Sequence, residues 1–459
     1  MSQITILHTN DVHSYFEEYG KLVSSMKQYV PEKTLVFDSG DFSDYRSVLV
    51  SGTYGLGGLE LLKYNHTDAQ AIGNNEFFGG LDNLLKMIKS GFPIISTNLT
   101  LADGSKIPGL KECIVIEKQG IRFLVIGTSP YFGPRPENQV FLKMDGLASH
   151  DPLEDLERIF DTYKGQYDYS ILLSHQGYKN DLETVQQFKK LDLILGGHSH
   201  TLLGQPVLVG QTLIGQSGSF GKNYLKLVLD FNDKQLESSQ YSMEEGTNMI
   251  DSGFQQVYNN QLTKGQEEYS KTLYVLPSGL PLDHYQESKA PNVLCDVIYK
   301  EYGGDLALIN NGTLSASIPQ MISKHSLLEA APSPLNPTLI PWSGEQIFEA
   351  LKLSFNTDYI HRDGKGPGFR GTCIGSLSFS YNVQIRLDPL EVIISGKPLE
   401  LNKIYQVISC DYLQRGTAYS MLKVEDTLCT FYRGYLRDAL EKGLRDPLNY
   451  QTCQILRYR

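Results

Sequence analysis

At 459 residues the chain is long enough for about two domains, each able to bury a proper core. Its formal net charge of −11 argues against nucleic acid as a partner, because neutralising a phosphate backbone needs clustered Lys and Arg. No apolar run approaches the ~20 residues needed to span a bilayer, so no membrane partner is expected.

From residue 3 to about 235, strand-like apolar runs alternate with helical patterns at Leu59 to Lys63, Leu81 to Ser90, Pro152 to Tyr163 and Leu182 to Lys190. Such alternation predicts a layered α/β domain. Polar residues able to ligate a metal sit where the apolar runs end. Asp11 and His13 follow Ile4 to Leu7, Asp41 follows Leu35 to Phe37, and Asn74 lies in Gly73-Asn74-Asn75-Glu76. His175 follows Ile171 to Leu173, and His198 with His200 follows Leu193 to Leu195.

Each motif alone reads as a helix cap or a turn, since Asp is favoured at helix starts and Asn in turns. Together they face a common crevice at strand ends, where open α/β sheets place their ligands. Carboxylate, carboxamide and imidazole donors without a thiolate suit Mn, Zn, Fe or Mg. Two such ions roughly 3.5–4 Å apart clamp an in-line displacement at phosphorus. The pattern predicts two divalent metal ions and a phosphoesterase.

Residues Glu244 to Tyr274 are polar and Gln-rich, which fits either a helix connecting two domains or a solvated surface helix of the first. Pro277, Gly279 and Pro281 punctuate a boundary. The expected domains are therefore 1–243 (catalytic), 244–275 (linker helix) and 276–459 (substrate-binding). The last has helical patterns at Asn292 to Tyr302 and Gly344 to Phe355, with strands at Ser376 to Leu387 and Ile404 to Ser409, an α+β pattern. The Pro-rich run Ala331 to Pro341 and the Gly-rich run Asp363 to Gly375 read as loops. Cys113, Cys295, Cys373, Cys410, Cys429 and Cys453 are scattered and match neither a metal site nor a disulfide framework. With a strand already under way at Ile4, the expected location is cytoplasmic, or exported where a leader has been removed.

The motifs His8-Thr9-Asn10-Asp11-Val12-His13, Asp38-Ser39-Gly40-Asp41, Gly73-Asn74-Asn75-Glu76-Phe77, Ser174-His175-Gln176-Gly177 and Gly196-Gly197-His198-Ser199-His200 resemble the ordered set of the calcineurin-like metallophosphoesterases. Their spacing is most similar to the 5′-nucleotidase branch, which also contains UDP-sugar hydrolases and cyclic nucleotide phosphodiesterases. The resemblance implies a four-layer β-sandwich flanked by helices plus a C-terminal α+β domain. It also implies one metal on Asp11, His13, Asp41 and His200 and another on Asp41, Asn74, His175 and His198. Asp41 would bridge, and a metal-bridging hydroxide would attack phosphorus. The substrate implied is a nucleotide or related small phosphorylated metabolite. A pyrophosphatase or cyclic phosphodiesterase of the same branch, or a metal-retaining binding or sensing protein, stays open.

Several positions depart from the family. Asn75 and Phe78 stand where the family has a His and an Asp that assist the leaving group. Asn75 can still donate a hydrogen bond to a phosphoryl oxygen but supplies no proton at neutral pH. General acid help is worth ~10²–10⁴ in rate, so slower turnover is expected, or leaving groups that need no acid. His66, His284 and His361 are the unassigned substitutes. In the second domain, Asn310 opens a segment in which Ser315 replaces the family's substrate-binding Arg, and Tyr412 falls near one base-stacking position. Asn310 and Tyr412 are thus the substrate-binding candidates.

Overall fold

The computed structural model describes residues 2–133, 146–366 and 368–459. The chain divides into two compact units, Met1–Glu268 and Tyr269–Arg459.

In the first unit the apolar runs become the strands of two six-stranded sheets, beside a small pair formed by Leu99–Leu101 and Leu147–Ser149. The sheet strands are β1 (Ser2–Thr9), β2 (Thr34–Asp38), β3 (Ala69–Ala71), β4 (Ile94–Ile95), β5 (Cys113–Lys118), β6 (Ile121–Thr128), β7 (Tyr169–Ser174), β8 (Leu193–Gly196), β9 (Val207–Val209), β10 (Thr212–Gly215), β11 (Asn223–Asn232) and β12 (Gln235–Glu245). One sheet runs β12-β11-β1-β2-β3-β4 and the other β9-β10-β8-β7-β6-β5. Strands β1 to β4 are mutually parallel, as are β6, β7, β8 and β10. The helices of this unit include α1 (Phe16–Met26), α2 (Leu56–Tyr64), α3 (Leu81–Lys89), α4 (Leu153–Thr162), α5 (Tyr178–Gln187) and α6 (Ser252–Tyr269).

Alternation along the strands sets the layers. Ile4, Ile6, Leu35 and Phe37 of one sheet pack against Val125, Ile171, Leu173 and Leu195 of the other. The opposite faces are covered by helices. Leu7 and Val36 meet Leu22 and Leu61, while Leu124, Leu172 and Ile194 meet Leu156, Phe160 and Val185. Strands buried on both faces need no polar side, which is why they read as continuous apolar runs. The result is a helix, sheet, sheet, helix stack with the ends of the parallel strands gathered at one rim.

The second unit holds a five-stranded sheet in the order Leu377–Phe379, Leu306–Asn310, Ile404–Cys410, Pro337–Ser343, Thr430–Phe431. Helices α7 (Lys289–Tyr302) and α8 (Gly344–Leu353) pack into its core, which includes the fully buried Trp342. A buried ion pair closes the chain end, with Arg457 Nη2 2.7 and 2.8 Å from the two Asp296 oxygens.

Three local expectations change. Residues 244–275 are not one helix: β12 runs to Glu245, α6 spans Ser252–Tyr269, and Thr272–Val275 is a strand. Strand β12 carries no sequence signal of its own because it is an edge strand with most of its residues in solvent, so no apolar alternation marks it. The Pro-rich run includes a strand, Pro337–Ser343, even though proline disfavours a central strand. Its outer neighbour pairs only at Thr338 and Leu339, so the prolines lie outside that pairing. Helix α5 begins at Tyr178, earlier than Leu182, because Gly177 at φ 89° turns the chain out of β7.

Candidate metal centre

Every ligand predicted in the first unit follows the carboxyl end of a parallel strand: β1 for Asp11 and His13, β2 for Asp41, β3 for Asn74, β7 for His175 and β8 for His198 and His200; all lie in loops except Asn74, which opens the short helix Asn74–Phe77. The loops are laced together by backbone bonds. Asp11 N–H donates to Gly40 O at 3.0 Å, His13 N–H to Asp41 O at 2.8 Å, and His175 N–H to Thr128 O at 2.9 Å. Asp11, His13, Asp41, His198 and His200 have φ of 51, 49, 52, 72 and 54°, so five ligand residues occupy the left-handed region. Non-glycine residues adopt it rarely, and clusters of it mark sites where the surrounding structure holds strain for function.

The side chains converge as two groups. Asp11, His13 and His200 offer ligand atoms within 4.8 Å of one another, and so do Asp11, Asp41 and His175. His13 Nε2 lies 3.0 Å from His200 Nε2, and His200 Nε2 lies 3.4 Å from Asp11 Oδ1. Asp41 faces both groups, with Oδ1 3.4 Å from His175 Nε2 and Oδ2 3.7 Å from His13 Nε2. Asn74 Oδ1 lies 2.9 Å from His198 Nδ1, and the His198 ring is 5.1 Å from that of His175. All seven candidates are thus brought to one place, and Asp11 joins Asp41 in reaching both groups.

The fit to cations rests on atoms left without partners. Asp11 Oδ1 and His175 Nε2 are buried with no hydrogen-bond partner, 4.0 Å apart. An unpaired buried polar atom is costly, and each here belongs to a metal-binding group. Their other atoms are occupied: Asp11 Oδ2 accepts from Asn10 Nδ2 at 2.7 Å and His198 N–H at 2.9 Å, and His175 Nδ1 donates to Ser39 O at 2.6 Å. A carbonyl on Nδ1 holds one ring proton there, so that when a cation displaces the other the Nε2 lone pair faces inward, the usual support of a metal-binding imidazole.

Burial alone would lower the His175 pKa, but Asp41 and Asp11 outweigh it and raise the ring to about 10. Asp41 is held below the ordinary carboxylate range, its burial penalty overcome by His175 and His13. Burial, and then the neighbouring His175 charge, pulls His198 down to about 4. Carboxylates crowded enough to force a proton onto a buried imidazole form a space that a dication would neutralise. The donor set of hard oxygens and imidazoles, with no cysteine in it, suits the divalent ions expected from the sequence.

Sequence reasoning left several supporting residues unassigned. The buried Glu76 carboxylate accepts Asp41 N–H at 2.8 Å, Phe42 N–H at 3.0 Å and Gly73 N–H at 2.9 Å, tying the β2 and β3 loops together. Burial and the nearby Asp41 charge push its pKa up to about 7. A Cβ on Gly73 would lie 2.2 Å from Asp41 Oδ1, so only glycine permits that approach. Phe220 packs its ring 5.8 Å from His13 and 5.3 Å from His200. Nothing in its own sequence neighbourhood marks it.

Asn75 sits against Asp41. Its Nδ2 donates to Asp41 Oδ2 at 2.6 Å and its N–H to Asp41 Oδ1 at 2.7 Å, so it orients a ligand. Asn310 and Tyr412 are not open substrate contacts. Asn310 Nδ2 donates to Ile374 O at 2.6 Å and its Oδ1 accepts from Thr313 at 2.9 Å. The fully buried Tyr412 ring is already stacked on Phe369, with centroids 4.2 Å apart and planes at 14°. Of the unassigned histidines, His66 is exposed and lines a different cavity, His284 bonds Leu314 O, and His361 stacks on Tyr285.

Residues 4–202 match the calcineurin-like phosphoesterase family and residues 271–424 the 5′-nucleotidase C-terminal domain. The chain is 25 % identical over 464 residues to the uncharacterized metallophosphoesterase YunD of Bacillus subtilis (strain 168), covering 95 % of this chain and 98 % of that protein. It is 24 % identical to the 5′-nucleotidase of Mus musculus, covering 92 % and 84 % respectively. Among solved structures, a 5′-nucleotidase precursor from Thermus thermophilus shares the fold at a TM-score of 0.59 and 20 % identity, with 96 % of each chain covered. The NAD nucleotidase of Haemophilus influenzae does so at 0.63 and 16 %, again with 96 % of each covered. With both domain types present in order, the chain belongs to the 5′-nucleotidase branch of the calcineurin-like metallophosphoesterases, a family of phosphoric ester hydrolases.

Proposed function

We propose that the protein hydrolyses small phosphorylated metabolites, nucleotides foremost, at Asp11, His13, Asp41, Asn74, His175, His198 and His200 with two divalent ions. The observation that carries this reading is the pair of buried, unpartnered atoms, Asp11 Oδ1 and His175 Nε2, inside a cluster of carboxylates and imidazoles. When bound, the two cations supply a water of lowered pKa and neutralise charge on the phosphoryl group.

The chain's own part is positional. Asn10 and the His198 N–H orient Asp11, Asn75 orients Asp41, and the Ser39 carbonyl orients His175. Neither Asn75 nor Phe78 carries a proton to give to a leaving oxygen. Weakly basic leaving groups, such as an aryl oxide or another phosphate, are therefore favoured over alkoxides.

Release of nitrophenolate from nitrophenyl phosphate by the full chain, with Mn²⁺ and then with a chelator, tests the reading. Turnover that requires Mn²⁺ is expected. No metal-dependent release even at high protein concentration would replace hydrolysis with simple binding of a phosphorylated ligand.

A further inference from the structure

Beside the metal cluster lies a shelf of side chains that the chemistry above does not use. His200, whose side chain is 37 % exposed, opens the cluster on that side. Phe220 packs edge-on against it, Tyr15 follows with its ring 4.9 Å from Phe220, and the Arg46 guanidinium carbon lies 5.6 Å from the Tyr15 ring. Tyr15 is 43 % exposed, a large aromatic surface left in solvent next to a buried charge cluster.

The shelf is held in place. Phe220 has φ 62°, an outlier for so bulky a residue, and its N–H donates to Asp11 O at 2.8 Å. The strained backbone thus ties the ring to a ligand loop. Arg46 is anchored at Nε, 3.1 Å from Asp44 Oδ2, and its N–H donates to the other Asp44 oxygen at 2.9 Å. Asp44 is itself fixed through its N–H, which donates to Ser14 Oγ at 2.8 Å. Among the described residues Arg46 makes no hydrogen bond through its terminal nitrogens. A guanidinium anchored at Nε keeps a planar two-nitrogen edge that matches a phosphate or carboxylate.

We propose that Phe220, Tyr15 and Arg46 form a leaving-group subsite within the first unit. It takes a phosphoester whose leaving group carries a planar ring and, beyond the ring, a second anion. This inference rests on the phosphoesterase reading above. The order of the side chains sets the order of the groups: scissile phosphoryl at the cluster, ring over Phe220 and Tyr15, distal anion at Arg46. An exposed aromatic face stacks any base, and a fixed arginine selects among bases by what they carry. Specificity then lies beside the metals, which fits the closed state of Asn310 and Tyr412.

The test compares 4-carboxyphenyl phosphate, phenyl phosphate and glycerol 3-phosphate as substrates of the full chain with Mn²⁺, and titrates the carboxyphenyl ester by calorimetry. The expected order of kcat/KM is carboxyphenyl, phenyl, glycerol phosphate. Arg46→Gln lowers the carboxyphenyl-to-phenyl ratio about tenfold, mainly through KM. Tyr15→Leu lowers the phenyl-to-glycerol phosphate ratio about tenfold, and Tyr15→Phe, which keeps the ring, restores it. The Kd for the carboxyphenyl ester rises in parallel in Arg46→Gln and Tyr15→Leu. Turnover with ratios that neither variant changes overturns the subsite and leaves the phosphoesterase reading standing. Absence of turnover on all three esters, the two aryl esters included, overturns the phosphoesterase reading, and calorimetry then decides the subsite alone: a Kd indifferent to both variants removes it.

Discussion

Asp41 is the residue on which both ligand groups depend, because each of its oxygens faces a different histidine and Asn75 bonds both. Asp41→Asn keeps the shape but removes a charge. It is expected to lower bound metal, read by elemental analysis, and to reduce kcat at least about a hundredfold. The missing proton donor is addressed by Asn75→His/Phe78→Asp. If the acid deficit limits turnover, that double variant raises kcat on alkyl monoesters by up to ~10²–10⁴, while nitrophenyl phosphate gains far less. Equal gains on both would show that leaving-group protonation was never limiting. The seven candidate ligands were legible in the sequence because five short motifs, each explicable alone as a cap or a turn, bring metal-binding donor types to the ends of successive apolar runs. Phe220 and the carbonyl of Ser39 were not. The first is positioned by a contact some two hundred residues away, and the second contributes an atom that every residue possesses.

Helix α5 and strand β7 frame a buried acid that answers to pH. Asp181, on α5, bonds Ser174 at the end of β7, and its Oδ2 has no partner. Burial raises its pKa from 3.8 to about 7. The folded state therefore holds a proton that the unfolded state releases, so this group's contribution to stability is fully present below pH 3.8 and is lost as pH rises through about 7. Asp181→Asn removes that dependence. Its stability relative to the parent chain is expected to climb between about pH 4 and pH 7 and level off above, as followed by denaturant titration. A gap independent of pH would mean that Asp181 stays ionised in the fold. Helix α6 shows why a polar segment resisted assignment. It docks through Gly265, whose Cβ would lie 2.5 Å from Val48 O, and through a close approach to Gly52. Phe254, Val257, Tyr258 and Leu262 add apolar contacts, but Gln261 and Gly265 share the docked face, so the periodicity that announces an amphipathic helix is weak here. Gly265→Leu is expected to cost ~1–3 kcal/mol in unfolding free energy.

Across the whole chain, the two units differ in what holds them. The second closes on an ordinary apolar core and the buried Asp296–Arg457 pair, whereas the rim of the first crowds carboxylates and imidazoles together, with Asp11 Oδ1 and His175 Nε2 buried without hydrogen-bond partners. Divalent metal should therefore stabilise the units unequally. Hydrogen exchange with and without Mn²⁺ is expected to show added protection at 10–14, 39–45, 72–76, 175–177 and 197–201, and little change over 269–459. Uniform protection would place the cation elsewhere. At this scale the alternation of strands and helices foretold the α/β first unit and the α+β second. The extent of α6 and the closure of the Tyr412 pocket depended on which surfaces meet, and local sequence does not encode that.

The left-handed backbone at five ligand positions has a consequence for how this chemistry can diversify. Asn, Asp and His are the side chains most at home in that conformation, and they are also the three donor types found here. Exchange within the trio alters charge and hardness while sparing the main-chain scaffold. Cofactor preference in such a protein is thus tunable by single-codon drift, whereas bulkier or β-branched replacements strain the main chain that shapes the loops.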